Sequence, residues 1–193
     1  MRRFPVAPWP LSLQIVSGLG SLMLCGVAYA AWRAIPVPTG FTHTFGLGVA
    51  AVPLVVLVGA LLFIVSGYRV DANALLIDRL LTTTHLPLAG LERVWAEPSV
   101  CRGSLRIFGN GGLFCFCGWF YNPRLGRYRL FATDWRKAVV LQFTDHVAVV
   151  SPASPQAFVD HLHRILPGVA LGPEEGGTVA WFRRRSAPEG QGL

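Results

Sequence analysis

Residues Ser104 to Trp135, SLRIFGNGGLFCFCGWFYNPRLGRYRLFATDW, carry most of the fold information in this chain. A glycine cluster, Gly109, Gly111 and Gly112, separates two apolar and aromatic runs. Asn110-Gly111 is the dipeptide that best accepts positive φ at both centres of a two-residue hairpin turn, so a structural turn is expected over Gly109, Asn110, Gly111 and Gly112 with strands on either side. Leu113 to Tyr121 contains no charged residue, which predicts a strand covered on both faces. A second turn at Asn122-Pro123-Arg124-Leu125-Gly126 returns the chain through Arg127 to Thr133. The expected unit is a three-stranded antiparallel meander at the heart of a β domain.

The rest of the composition is too apolar for a soluble domain alone. Of 193 residues, 52% are hydrophobic and 14% charged, whereas soluble domains carry about 25% charged residues. Two uncharged runs account for the difference. Leu11 to Trp32 is long enough, at about 1.5 Å per helical residue, to cross roughly 30 Å of hydrocarbon. Phe45 to Ser66 is a second such run, and the link between them contains Pro36, Pro38 and Gly40, which break a continuous helix. The two predicted helices therefore return antiparallel as a transmembrane hairpin. The competing reading of the first run is a secretory signal peptide, with Arg2 and Arg3 as its basic start and Ala28-Tyr29-Ala30 as its cleavage site, but the run exceeds the roughly 7 to 15 apolar residues usual there. Pro53 falls inside the second span, and Trp32 and Tyr68 fall at span ends, where aromatic rings favour the interface.

Arg2 and Arg3 precede the first span and Arg69 and Arg79 follow the second, while the link carries only Arg33. The positive-inside rule then puts both termini in the cytoplasm. The expected divisions are a cytoplasmic N-terminus (1–10), spans at 11–32 and 45–66, an external loop at 33–44, a β domain at 67–166 and a basic, unstructured tail at 167–193. Cys115 and Cys117 share one face of a predicted strand and suit a reducing compartment as buried free thiols. A C-x-C pair without a second ligand pair is a poor zinc signature.

Outside the meander, Tyr68-Arg69-Val70 and Leu75-Leu76-Ile77 are strand-like around Asp71-Ala72-Asn73. Leu86-Pro87-Leu88, Val94 to Ala96, Ala138 to Phe143 and His146 to Val150 add further strands. The period then changes: Ser154 as N-cap, Pro155 at the first helical position, and Phe158, Leu162, Ile165 and Leu166 on one face predict a helix ended by Pro167-Gly168. The fold class is thus mostly β (α+β), a two-helix transmembrane hairpin followed by a sandwich or barrel of about seven antiparallel strands capped by a C-terminal helix.

Several of these pieces together resemble the bacterial pleckstrin-homology-like (PH) domains of small membrane proteins with two N-terminal spans. They are Tyr68-Arg69-Val70-Asp71, Leu86-Pro87-Leu88, Arg106-Ile107-Phe108-Gly109-Asn110-Gly111-Gly112, Gly118-Trp119-Phe120, Phe131-Ala132-Thr133-Asp134 and Val149-Val150-Ser151-Pro152. The resemblance implies two packed antiparallel sheets capped by a helix, at the cytoplasmic face of a bacterial inner membrane. It implies an interaction module with no catalysis and no cofactor. Phosphoinositide-binding relatives place basic residues at the first strand turn, where this chain has Asp71-Ala72-Asn73, which argues against inositol-lipid recognition.

The candidate binding residues are arginines. Arg127 and Arg129 alternate onto one strand face and, with Arg124, form either a solvated surface or a patch for anionic lipid headgroups or an acidic protein. Arg183, Arg184 and Arg185 follow Trp181-Phe182 in the glycine-rich tail, a composition suited to resting on the inner leaflet or to a solvated tail. A basic balance of 17 Lys+Arg against 10 Asp+Glu suits anionic lipid beside a tethered domain better than nucleic acid. His161 and His163 lie two apart on a helix and face differently, so they do not make a metal pair. No Gly-Lys-Ser/Thr follows the glycine cluster, and no nucleophile-base motif has a recognisable context. The partners expected are the bilayer itself and anionic headgroups or an unidentified membrane or cytoplasmic protein. The alternative is an accessory or scaffold subunit assembled into a larger membrane complex through the hairpin, a role that the small residues Ser17, Gly18, Gly20, Ser21 and Gly26 would serve.

Overall fold

A computed structural model of the chain describes residues 1–35 and 41–173. A short strand, β1 (Arg2–Pro5), precedes the helices α1 (Leu11–Arg33) and α2 (Phe41–Leu62). Both helices are long and apolar enough to cross a membrane, and most of their apolar surface stays uncovered by the rest of the chain. A helix apolar on every side with little protein around it is built for lipid contact. Pro53 lies within α2 without ending it.

Four strands form the first sheet, β1 with β2 (Val65–Val70), β3 (Ala74–Arg79) and β4 (Thr83–Pro87), in the order β1-β2-β3-β4 and antiparallel throughout. The second sheet has seven strands. They are β5 (Leu91–Ala96), β6 (Leu105–Gly111), β7 (Phe116–Asn122), β8 (Gly126–Ala132), β9 (Val139–Phe143), β10 (Val147–Val150) and β11 (Ala170–Leu171), ordered β11-β5-β9-β10-β8-β7-β6. The helix α3 (Pro155–Ile165) lies between β10 and β11 in sequence, with Pro155 in its first turn.

Alternation explains the long apolar runs. Phe131, Val139, Leu141, Ala148 and Val150 face the core between the sheets, together with Tyr68, Leu75, Ile77 and Phe158 of α3. Their neighbours Leu130, Ala132, Val140, Val147 and Val149 face a second cluster with Trp95, Val100, Phe120 and Tyr128 on the opposite side. Burial on both faces favours apolar residues at every position, hence the uninterrupted Val-Ala-Val-Val of β10; Gln142 of β9 is the buried polar exception beside it.

Several expectations need correcting. The second span begins at Phe41, within the expected loop, and stops at Leu62 rather than Ser66; Val65 and Ser66 belong to β2. The strand wins there because Val65 is buried in the core between the sheets. The pairing is not wholly antiparallel: β10 runs parallel to β8, and β11 parallel to β5. The β9–β10 hairpin inserts between β5 and β8, and this makes β10 co-directional with β8.

The expected Asn110-Gly111 turn lies three residues too early. Gly109, Asn110 and Gly111 are all within β6, Gly111 pairs with Phe116, and the connection is the four residues from Gly112 to Cys115, closed by a bond from the Gly112 N–H to the Cys115 carbonyl (3.0 Å). Positive φ falls on Gly112 and Phe114. The Asn110 side chain sets this register: its carboxamide oxygen accepts from the N–H groups of Gly112 and Leu113, and its Nδ2 donates to the Leu113 carbonyl (2.6 Å).

Tyr68 is not an interfacial ring. It is buried between the sheets, where its hydroxyl donates to the Phe131 carbonyl (2.6 Å) and accepts from the Ser151 N–H (3.0 Å).

The N-terminal ten residues are part of the β domain. Arg2 to Pro5 pair with Val70 to Gly67, Val6 bridges to Pro152, Ala7 donates its N–H to the Ser151 carbonyl (2.8 Å), and Thr133 Oγ1 donates to the Ala7 carbonyl (2.6 Å). Phe4 packs edge-on against Phe158 of α3 at 5.0 Å. The helices are therefore an insertion between two neighbouring strands of one sheet, and the start of α1 and the end of α2 lie on the same side of the domain.

Candidate functional site

The meander of β6, β7 and β8 positions the arginines. Its register sets Cys117 opposite Phe131, Trp119 opposite Arg129 and Tyr121 opposite Arg127, so these six side chains share one face. Toward the core that face carries Cys117 and Phe131, both buried; farther out it is polar and aromatic. The Arg127 guanidinium lies over the Trp119 ring at 4.4 Å, and Arg129 lies 5.7 Å from the same ring and 5.1 Å from Phe131. Arg79, arriving from β3 in the other sheet, stacks on Phe131 and on Phe63 at 5.4 Å each. Cations and rings thus alternate, Arg127-Trp119-Arg129-Phe131-Arg79-Phe63, from the sheet surface to the end of α2. Contact with the rings holds each guanidinium in place, and the Arg79 Nε–H is buried without a hydrogen-bond partner among the described residues.

The three arginines of this ladder have no carboxylate partner among the described residues. Among the described residues, the acidic partners go to other cations: Asp78 to Arg69, Glu97 to Arg124 (2.9 Å) and Asp134 to Arg136 (3.1 Å). Burial draws the Arg129 pKa below its ordinary value, and the like charge of Arg79 adds to the effect. Like charges held together by packing leave a positive potential that an anion relieves.

The sequence-derived candidates separate. Arg127 and Arg129 come together as the alternation requires. Arg124 does not join them; it sits in the β7–β8 turn with Glu97, whose other oxygen accepts from the Trp95 indole N–H (3.0 Å). Arg183, Arg184 and Arg185 lie outside the described residues. Arg79 was missed because it belongs to the other sheet, and no local pattern announces a neighbour across a core. Among the described residues no group of three His, Cys, Asp or Glu side chains converges as a metal site. His161 packs against Phe4, while His163 Nδ1 is 3.0 Å from the Val169 carbonyl.

The same meander is fastened to the helices. The Phe114 N–H donates to Ser17 Oγ of α1 (2.8 Å), the Cys115 thiol donates to the Phe63 carbonyl (3.0 Å), and Phe114 lies 6.1 Å from the Trp9 ring. Across the hairpin Gly109 opposes Gly118, both at positive φ (114° and 142°). A Cβ on either residue would collide with the backbone of the facing strand. The paired glycines let β6 and β7 approach closely just before the turn that docks on the helices.

The bacterial PH domain profile matches residues 66–166, which cover the strands from β2 to β10 and α3. The chain belongs to the bacterial PH domain family. No curated protein and no solved structure matches it. In this bacterial PH domain the two sheets and the capping helix are those the family resemblance implied, with β1 added from before the helices.

Proposed function

We propose that this protein is a membrane-anchored interaction module: α1 and α2 cross a bacterial inner membrane as a hairpin, and the PH domain at the cytoplasmic face binds anionic lipid headgroups through Arg79, Arg129 and Arg127. The observation that carries this reading is the cation–aromatic ladder. It begins at Phe63, beside the end of α2, and holds three guanidinium groups without an acidic partner among the described residues. Attraction to an anionic surface decays within a Debye length, about 10 Å at 0.1 M salt, so Arg79 and Arg129 contribute more than the outlying Arg127. An orientation with both termini inside follows from the arginines flanking the helices. The module acts by binding, with no catalytic step.

The test uses the full chain in nanodiscs of neutral or part-anionic lipid, followed by hydrogen exchange of β7 and β8 at low and high salt. Protection of Trp119 to Phe131 should rise with anionic lipid, fall at 1 M salt, and disappear in Arg79→Gln/Arg129→Gln. Indifference to lipid charge, salt and substitution would leave the ladder as a solvated surface and make an acidic protein the better partner.

A further inference from the structure

Between α2 and the β6–β7 hairpin runs a groove of about 270 Å³, with Val56, Gly59 and Phe63 on one wall and Arg106, Gly109 and Leu113 on the other. Two glycines keep it open. Nothing lies within 4 Å of where a Gly59 side chain would begin, and Gly109 has no room for a side chain beside β7. Val56, Gly59 and Phe63 form one stripe along the end of α2.

The position of this groove decides what fills it. On the reading that the helices cross the bilayer, Val56, six residues before Leu62, lies about 9 Å along the helix into the hydrocarbon. Ser17, which holds the hairpin turn, lies equally far from Leu11 on α1. Moving the membrane boundary beyond the turn would leave α1 about 24 Å to span roughly 30 Å of hydrocarbon. The hairpin turn therefore dips into the inner leaflet, and an apolar chain rather than water occupies the slot. At about 270 Å³ the groove falls just below the roughly 300–1,000 Å³ of pockets that enclose a whole small molecule. It suits part of one acyl chain whose remainder continues into the bilayer.

Arg106 supplies the other half of the recognition. It is exposed, has no carboxylate partner among the described residues, and is held by one bond from its guanidinium to the Gly109 carbonyl (3.2 Å). Most of its N–H donors remain free in the fork geometry that matches a phosphodiester. No acidic side chain lines the groove to receive the cationic part of a zwitterionic headgroup. We propose that the groove binds one anionic phospholipid of the inner leaflet, its acyl chain against Val56, Gly59 and Leu113 and its phosphate on Arg106. This site is separate from the ladder of Arg79, Arg127 and Arg129, though it rests on the same spanning helices.

Native mass spectrometry of the full chain in mild non-ionic detergent, with equal phosphatidylglycerol and phosphatidylcholine of matched chains, tests the assignment. The expected result is one retained phosphatidylglycerol, preferred roughly fivefold from a single interfacial arginine. Arg106→Gln should erase the preference, Gly59→Leu should displace both lipids by filling the slot, and Arg164→Gln, on the exposed face of α3 and outside the groove, should leave retention as it was. Gly59 borders open space on a lipid-facing helix, so its variant tests the slot even where Arg106→Gln lowers stability. Equal retention of the two lipids, unchanged retention in both groove variants, or a second copy of the chain in place of lipid would overturn the proposal. Carbonate extraction separates the two readings: a chain stripped from membranes refutes the spanning helices, whereas a chain that stays but retains no lipid refutes the groove alone.

Discussion

Replacing Gly118 by alanine should unfold the domain at a much lower temperature, whereas the same change at Gly111 should not. Gly118 has φ 142°, and an added Cβ would press on the Phe108 carbonyl oxygen and lie 2.9 Å from the Gly109 Cα. Both obstacles are backbone of a paired strand, so relief requires β6 and β7 to separate where they dock on the helices. Backbone strain of this kind costs about 1–3 kcal/mol, and forcing extra volume into a packed contact costs about 1–3 kcal/mol more. For a domain near 100 residues, each kcal/mol lowers Tm by about 4 °C or more, so a loss of at least about 8 °C is expected. At Gly111 the first atom met is Arg106 Cδ at 2.9 Å, on a flexible exposed side chain, and φ is not positive. Gly111→Ala should be neutral or stabilise by up to about 1 kcal/mol, since alanine restricts the unfolded chain. The assay is thermal unfolding of the full chain in detergent, followed by tryptophan fluorescence, to which Trp119 beside Gly118 contributes. A Gly118→Ala protein melting within 2 °C or so of the parent, or an equal loss at Gly111, would refute the paired-glycine contact.

Three further outcomes are expected. Tyr68→Phe leaves the buried Phe131 carbonyl and Ser151 N–H without their shared partner, at about 1–3 kcal/mol for each group, measurable by denaturant titration. His161 has a pKa below its ordinary value because of partial burial and the charges of Arg2 and Arg164. The folded chain therefore binds fewer protons than the unfolded chain below about pH 6.5, and stability should fall as pH drops through that region. His161→Gln should flatten this dependence when melting temperatures are compared from pH 7.5 down to 5, values that bracket the histidine range. Thr39→Cys should react with an impermeant thiol reagent on intact cells while Ser186→Cys is protected, and the reverse pattern would invert the proposed orientation.

What the sequence made legible was local. Strand runs such as Val-Ala-Val-Val, the Ser154-Pro155 helix start and the two long apolar helices each carry their own period; the strands and the helix start appear where that period puts them, while the second long helix lies about four residues earlier than its apolar run suggests. What stayed hidden depends on partners far along the chain. Arg2–Pro5 is too short to announce a strand, and only β2, some sixty residues later, makes it one. The hairpin turn moved because the Asn110 side chain bonds forward to Gly112 and Leu113, an arrangement that competes with the two-residue turn its dipeptide favours. At the candidate site the alternation of Arg127 and Arg129 was readable. The exclusion of Arg124 was not, because Glu97 meets it only in three dimensions, and neither was Arg79 between Phe63 and Phe131.

The pairing of β1 with β2 has a consequence for biogenesis. β1 leaves the ribosome before the helices but cannot find its partner until both have been made. For a chain whose helices cross the bilayer, β1 and β2 meet only when α2 has returned to the side from which α1 departed. A nascent chain with one helix uninserted or inverted strands the two halves of the sheet in different compartments. It exposes Phe4 and the edge of β2, and never buries Tyr68. On the proposed spanning topology, completion of the sheet thus requires correct insertion of both helices.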